Sequence, residues 1–170
     1  MNLVEVYLGL GANLGDPIAQ LRRAFSELVQ RKILIEPVGK SSLYRTPPWG
    51  PITDQPCFIN AAVSGRTSLQ PSNLLASLKA IERDMGRQQD ADRWGPRPID
   101  LDILLYGKQV LSSPELTIPH PHLTERAFAL APLLEIAPDL ADPVSGAFYS
   151  RHWSALTDEA RTIERLLEVL

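Results

Sequence analysis

The chain has 170 residues, with 17 lysines and arginines against 20 aspartates and glutamates and a formal net charge of −3. That length suffices for one domain with a real core, and a single domain over residues 1–170 is expected. The charge excludes a nucleic-acid binder that relies on a broad basic field, but not an acidic ligand held locally.

Cys57 is the single cysteine. It has no mate for an intrachain disulfide, so a reducing, cytoplasmic setting is expected. Within its apolar run it reads as a small core residue rather than a nucleophile. No apolar stretch is long enough to span a bilayer. The strand-like opening at residues 3–8 leaves no room for a signal peptide.

Residues 3–10 read as a first strand, followed by a glycine-bounded turn at 11–15. Asp16 is a good helix N-cap, Pro17 suits the first helical position, and Ile18, Leu21, Phe25, Leu28 and Val29 keep helical spacing to about Arg31. Residues 33–45 read as a second strand, interrupted near Pro37 and Gly39. A proline-rich loop covers 46–56, and residues 57–66 read as a third strand. Pro71 opens a second helix, with Leu74, Leu75, Leu78, Ile81 and Met85 on one side and Gly86 as its stop. A polar loop covers 87–98, and 99–106 form a fourth strand. The order strand, helix, strand, strand, helix, strand is the ferredoxin-like pattern. It predicts an α+β fold whose antiparallel sheet carries both helices on one face over a single core. A C-terminal extension follows: a short strand at 116–118, a helix capped by Thr124 that runs to Leu130 and is disturbed by Pro132, and a last helix capped by Thr157 with Ile163, Leu166, Leu167 and Leu170 as its apolar face.

The most informative segment is Arg93-Trp94-Gly95-Pro96-Arg97-Pro98-Ile99-Asp100-Leu101-Asp102. Side chains alternate on a strand, so Asp100 and Asp102 share a face. Neighbouring carboxylates repel unless a cation lies between them. Mg²⁺ suits that place, since it is held by one or two carboxylates together with substrate phosphates. Arginines just upstream could grip phosphate oxygens in bidentate geometry. These residues point to metal-dependent chemistry on a polyphosphate. A plainer account stands beside it: the arginines could pair with the aspartates as a structural ion cluster.

Gly9-Leu10-Gly11-Ala12-Asn13-Leu14-Gly15 superficially resembles a dinucleotide fingerprint, but its third glycine comes one residue late. The turn reads better as tight packing than as a phosphate cradle. Phe58 and Asn60 share a strand face, where an aromatic ring and an amide could read a flat heterocycle. Glu82 falls inside the apolar stripe of its helix, so it must be paired or lie where that stripe meets a polar cavity. Arg87, Arg93 and Arg97 are its candidate partners. His120, between two prolines, could donate to a phosphate. The two neighbouring histidines do not make a zinc site. Phe128 could be the second slice of an aromatic sandwich.

Together these pieces resemble the 6-hydroxymethyl-7,8-dihydropterin pyrophosphokinase family, along nearly the whole chain. Besides Arg93–Leu104, the matching pieces are residues 8–15, Tyr44-Arg45-Thr46-Pro47-Pro48, residues 58–63, Ile81-Glu82 with Gly86-Arg87, and Ile118-Pro119-His120-Pro121 with Arg126 and Phe128. The resemblance implies a ferredoxin-like enzyme of folate biosynthesis that moves the terminal pyrophosphate of ATP to the pterin hydroxymethyl group and releases AMP. By the same resemblance, Asp100 and Asp102 would hold two Mg²⁺ ions. Phe58 and Phe128 would sandwich the pterin, and Asn60, Thr46 and the backbone around Pro47 and Trp49 would bond its edge. Glu82, Arg87, Arg93, Trp94, Arg97, Ile99, Thr117, His120 and Arg126 would line the ATP side or the closing loops. Three positions depart from common family patterns: Gln89, Glu115 and Pro121.

Such a transfer needs in-line placement and neutralised charge more than covalent help. Arg87 and Arg97 would follow charge as it shifts toward AMP, and the loops at 46–56 and 87–98 could close over the substrates. The general base is open, with assistance by Asp102 as one hypothesis. The expected partners are small molecules, with no nucleic acid and no membrane, and the chain is expected to act as a monomer. The rivals are a nucleotidyltransferase using the same carboxylates, a ferredoxin-like RNA-binding module, and a relative that binds pterin without turnover.

Overall fold

The computed structural model describes residues 2–88, 94–158 and 161–170. In β1 (Val4–Ala12), Val6, Leu8, Leu10 and Ala12 are buried in one core, while Tyr7 belongs to another on the opposite face. Asp16 caps α1 (Pro17–Gln30) as expected: its carboxylate accepts the Ala19 N–H at 3.1 Å. Leu21, Ala24 and Leu28 form the buried side of that helix.

The single strand expected over 33–45 is two strands, β2 (Glu36–Lys40) and β3 (Ser42–Thr46), both antiparallel to β4 (Phe58–Thr67). The break falls at Ser41. Its N–H still donates to Ala62 O at 3.0 Å, and its hydroxyl accepts the Ala62 N–H at 2.9 Å, so the ladder loses no backbone donor there. Next come α2 (Pro71–Asp84), followed closely by Gly86 at φ +93°, and β5 (Asp100–Tyr106). Cys57 is exposed, one residue before β4, and is not the core residue expected of it.

The sheet order is β5-β1-β4-β3-β8, with β2 beside β4. Its last member, β8 (Glu164–Val169), replaces the expected C-terminal helix. The apolar spacing at 163, 166, 167 and 170 fits a helix, but the open edge of β3 offers a ladder instead, and Ser42 pairs with Val169 and Tyr44 with Arg165. Tertiary pairing overrides local pattern here. Leu166 packs on the core and Leu170 is buried at the chain end.

A small ribbon joins β6 (Leu111–Ser112) to β7 (Thr117–Ile118). Thr124 does not cap a helix; it lies in a 3-10 turn, Leu123–Glu125. The helix α3 (Ala127–Ile136) follows and runs through Pro132, because Leu130 and Leu133 on either side are fully buried. The unexpected α4 (Tyr149–Ala155) packs against it through Tyr149 and Trp153.

The described residues thus form an α+β architecture with two cores rather than one. Leu21, Leu28, Leu74, Leu78 and Ile81 of the first two helices cover one face of the sheet. The extension supplies Leu123, Leu130, Leu133 and Tyr149 against Tyr7, Leu104 and Leu105 on the other. Among the described residues no helix is long and apolar enough to cross a membrane.

Glu135 of α3 ties the extension to β3 and β8. It accepts the Tyr44 hydroxyl at 2.7 Å, the Ser42 hydroxyl at 2.8 Å and an Arg165 guanidinium N–H at 2.8 Å. Burial alone would raise its pKa, but the Tyr44 and Ser42 hydrogen bonds outweigh that and hold it below the usual value. A carboxylate lowered on folding adds stability above its unfolded pKa, and that stability is lost as the pH falls through the folded value. Glu135→Gln should therefore lower stability by about 2 kcal/mol at pH 7. In denaturant melts, the gap between variant and parent should shrink below about pH 4.

Candidate active site

The site is built on β5, which among the described residues lies at the edge of the sheet and pairs with β1 alone. Asp100 stands opposite Gly11 and Asp102 opposite Gly9, while across β1 the same glycines face Asn60 and Ala62 of β4. Directly opposed residues on antiparallel strands point to one side. The two carboxylates, the two glycines and the Asn60 amide therefore share a face, and the missing side chains leave a hollow between them. A Cβ on Gly11 would come 2.7 Å from Asn60 Oδ1. The glycines serve close packing, as the sequence suggests.

An edge strand leaves backbone groups without a ladder partner. Here the Leu101 N–H, between the two aspartates, donates to Glu82 Oε1 at 2.7 Å. Further along, Leu104 O accepts the His120 N–H at 3.0 Å. Glu82 thus does for β5 what a neighbouring strand would do. Its side chain is 3% exposed and ion-paired with Lys79 Nζ and Arg87 Nη1, each at 2.9 Å. Burial raises its pKa, and the two cations oppose that.

Both Asp100 oxygens are engaged, one by Arg87 Nη1 and the other by Arg97 Nη1 at 2.9 Å. Burial would raise the Asp100 pKa, but the two guanidinium groups more than reverse it and hold it low. Asp102 has less relief, from Lys79 and Arg126. Burial first, and then the Asp100 charge, push it up to about 7, and 38% of its side chain remains open to the cleft. His120 Nε2 lies 3.9 Å from Asp102 Oδ2. Burial, and then Arg126, lower the His120 pKa to about 4, so the imidazole is neutral near pH 7 and this contact is not an ion pair. Its Nδ1 accepts the His122 N–H at 3.2 Å, which leaves the proton on Nε2.

These groups border a cleft of about 280 Å³. Thr46, Pro47, Trp49, Phe58, Asn60 and Phe128 line one part of it. Arg87, Trp94, Arg97, Asp100, Asp102, His120 and Arg126 line the rest. The Asn60 amide donates to Thr46 Oγ1 at 2.7 Å. The Arg126 guanidinium lies 4.5 Å from the Trp49 ring centroid and 5.6 Å from that of Phe128, within cation–π range.

Two loops meet over this cleft. The Trp49 and Trp94 rings pack at a 47° tilt with centroids 5.4 Å apart, and Gly50 at φ +108° makes room, since a Cβ there would lie 2.7 Å from the Trp94 ring. Beneath them Asn13, 3% exposed, donates to Gln55 Oε1 and to Pro56 O, both at 3.0 Å, and accepts the Arg97 N–H at 2.9 Å. Gln55 in turn donates to Trp94 O at 2.7 Å.

Among the residues singled out by sequence, Glu82 and Ile99 lie beneath the cleft wall rather than in it, both buried. Thr117 sits in β7, paired with Ser112, and is not among the lining residues. Arg93 and Gln89 fall outside the described residues. Pro121 lines the cleft, and Glu115 is exposed away from it. Sequence reasoning missed Lys79 and His122, which also line the cleft. Lys79 had a signal: it lies three residues before a buried glutamate on the same helix, a spacing that places two side chains together.

A family model for 7,8-dihydro-6-hydroxymethylpterin-pyrophosphokinase matches residues 7–138. The chain belongs to that family. Among pyrophosphokinase relatives, it is 46% identical over 142 residues to the 2-amino-4-hydroxy-6-hydroxymethyldihydropteridine pyrophosphokinase of Pseudomonas aeruginosa, covering 82% of this chain and 84% of that one. It is 48% identical over 138 residues to the protein of the same name in Methylorubrum extorquens, covering 81% and 85%. The mitochondrial folate synthesis bifunctional protein of Arabidopsis thaliana is 47% identical over 152 residues; the match takes in 89% of this chain but only 26% of that longer protein. A crystal structure of Plasmodium falciparum HPPK-DHPS superposes with a TM-score of 0.71 over 91% of this chain and 45% of that one. At 17% identity it speaks to the fold alone.

Removing the Asn13 amide would leave Arg97 N–H and Gln55 Oε1 without their partner. Asn13→Ala should cost about 2–3 kcal/mol of stability. Hydrogen exchange at the Arg97 amide should speed up with it, while the α1 amides stay protected.

Proposed function

We propose that the cleft binds ATP beside 6-hydroxymethyl-7,8-dihydropterin and divides the work of transfer among the residues described. The activity is that of a 2-amino-4-hydroxy-6-hydroxymethyldihydropteridine diphosphokinase: pyrophosphate passes from ATP to the pterin hydroxymethyl group, AMP leaves, and the product enters folate biosynthesis. The observation that carries this reading is the pair Asp100 and Asp102 on one face of β5, bordering a cleft with arginines on one side and an aromatic–amide pocket on the other.

The donor set fits Mg²⁺. Asp100 and Asp102 offer hard carboxylate oxygens and leave most of an octahedral shell to phosphate and water, which Mg²⁺ prefers. Asp102, raised by burial and then by its neighbour's charge, is a carboxylate that a cation would relieve. We assign two Mg²⁺ ions to the pair. When bound, they neutralise charge on the triphosphate.

Arg87 and Arg97 hold Asp100, and guanidinium groups placed there can bind phosphate oxygens in bidentate fashion. His120 is neutral with its proton on Nε2, so it donates to a phosphate oxygen at neutral pH. Arg126, Trp94 and Arg93 complete the nucleotide side, Glu82, Ile99 and Thr117 support it from behind, and Asp102 is the candidate acceptor of the hydroxyl proton. On the other side, Phe58 and Phe128 enclose the pterin ring, while Asn60, Thr46 and the backbone at Pro47 and Trp49 bond its edge. A 280 Å³ cleft suits a bicyclic ring. It falls just below the range of about 300–1,000 Å³ that holds drug-sized ligands, so the nucleotide must lie along the open side. The loops clasped by Trp49, Trp94 and Gln55 then exclude water that would otherwise take the phosphoryl group.

The strand order β5-β1-β4-β3 with two helices on one face supports a ferredoxin-like βαββαβ unit carrying a C-terminal extension. The proposal extends to a single unit over 1–170 working as a monomer on small molecules.

The test is incubation with ATP, Mg²⁺ and the reduced hydroxymethylpterin. AMP should form in step with pyrophosphorylated pterin. Asp100→Ala should cut the rate by a hundredfold or more, since it removes a cation-holding carboxylate and the partner of two arginines. Release of free pyrophosphate instead of AMP would mean nucleotidyl transfer and overturn the assignment.

A further inference from the structure

Of the ten residues of α3, only Glu135, in the last turn, is polar. Burial of Leu130 and Leu133 holds the helix against the sheet, but the attraction between apolar surfaces is non-directional. Directional side-chain contacts from α3 can come only from Glu135, and they go to β3. Glu135 accepts the Ser42 N–H at 3.1 Å as well as the Ser42 and Tyr44 hydroxyls. Arg165 of β8 braces the group from outside: it donates to Glu135 and, through Nε, to Ser42 Oγ at 3.0 Å.

The two ends of α3 bear on one face of the sheet. Phe128, in the first turn, lines the cleft, and Glu135 follows seven residues later. At about 100° per residue, seven steps fall about 20° short of two full turns. The two side chains therefore share one side of the helix, about 10 Å apart along its axis. On β3, alternation puts Ser42, Tyr44 and Thr46 on one face. Tyr44 pairs with Asn60 and Thr46 with Phe58, so Asn60 and Phe58 project to that face too. Glu135 thus grips β3 at Ser42 and Tyr44, while Phe128 borders the cleft beside Thr46, Phe58 and Asn60. Glu135 itself is not a lining residue of the cleft, so any effect it has on a ligand there passes through other side chains.

We propose that Glu135 is a positioning residue for the pterin pocket: by pinning α3 to Ser42 and Tyr44, it sets where Phe128 stands against the Thr46–Phe58–Asn60 face. This rests on the pyrophosphokinase reading of the cleft and deepens it on the pterin side. A flat ring between two aromatic side chains is sensitive to their spacing, and a misplacement of about 1 Å can cost a hundredfold in rate. A group that only stabilised the fold would move the Tm and both substrates together. A positioning group acts on the ring-binding substrate and spares the nucleotide.

The experiment uses the full chain. Glu135→Asp keeps the charge and shortens the reach by one methylene. Tyr44→Phe removes one hydroxyl and keeps the ring, and it serves if the first variant folds poorly. Two affinities are measured by calorimetry: that of a methylene-bridged ATP analogue with Mg²⁺, and that of the reduced hydroxymethylpterin in its presence. A fluorine label on the Phe128 ring is followed by NMR without added ligand. Glu135→Asp should weaken pterin binding about tenfold and shift the Phe128 signal, with the analogue Kd within about twofold of the parent. Tyr44→Phe should act in the same direction and less strongly. Leu28→Val, which loosens the opposite core through α1, should lower the Tm and leave both the pterin Kd and the Phe128 signal in place. A signal unmoved in Glu135→Asp and Tyr44→Phe would overturn the role. So would a moved signal with unchanged pterin affinity, or pterin and analogue affinities that fall alike in step with Tm. A parent that binds no pterin would instead strike the proposed reaction, and the Phe128 signal would still decide whether Glu135 sets the place of that ring.

Discussion

The site depends on how an edge strand is closed. A β-strand at the margin of a sheet has backbone donors and acceptors facing away from its neighbour, and these must find partners or water. In β5 the outward Leu101 N–H meets the buried Glu82 carboxylate, and the Leu104 carbonyl meets the His120 N–H. Among the described residues no further strand covers this edge, and these two contacts fix the backbone beside Asp100 and Asp102, which border the cleft. Glu82 sits in the apolar stripe of α2 for this reason. A leucine there would pack equally well but leave the Leu101 N–H without its partner.

Electrostatics follows from that geometry. Asp100 is held by Arg87 and Arg97, whereas Asp102 carries burial and the repulsion of its neighbour, offset only in part by Lys79 and Arg126. The two aspartates are alike in sequence and unlike in state. The cluster is a set of side chains holding one another, cations on carboxylates. The plainer reading of the Arg-Gly-Pro-Arg block, a structural ion cluster, describes the Arg97 contact with Asp100, and the proposed function uses the same residues.

Much of this was legible in sequence because the informative features are local. Alternation placed Asp100 and Asp102 on one face and Phe58 with Asn60 on another strand. Asp16, Pro17 and Gly86 marked helix ends, and the position of Glu82 in an apolar stripe announced a paired carboxylate. What escaped was non-local. The helical spacing at 163–170 lost to the open edge of β3, which no local pattern reveals. Thr124 lies in a 3-10 turn because α3 starts three residues later, and Pro132 is tolerated inside α3 because a second core, with Tyr149 at its centre, holds that helix down. The Asn13 clasp joins segments more than forty residues apart in sequence, and the opposition of Gly9 and Gly11 to the aspartates is a matter of register. Glycine spacing in the sequence indicated close packing, but only the pairing shows that it clears a hollow between a carboxylate pair and an amide.

The central claim is that Asp100 and Asp102 together gather divalent metal along with the nucleotide. The most direct measurement is electron paramagnetic resonance of Mn²⁺, standing in for Mg²⁺, titrated into the protein with and without a methylene-bridged ATP analogue. The account predicts weak Mn²⁺ binding alone, binding at least tenfold tighter with the analogue, and loss of that enhancement in Asp102→Asn. Equal Mn²⁺ affinity in the parent and Asp102→Asn, with the analogue bound to both, would contradict it.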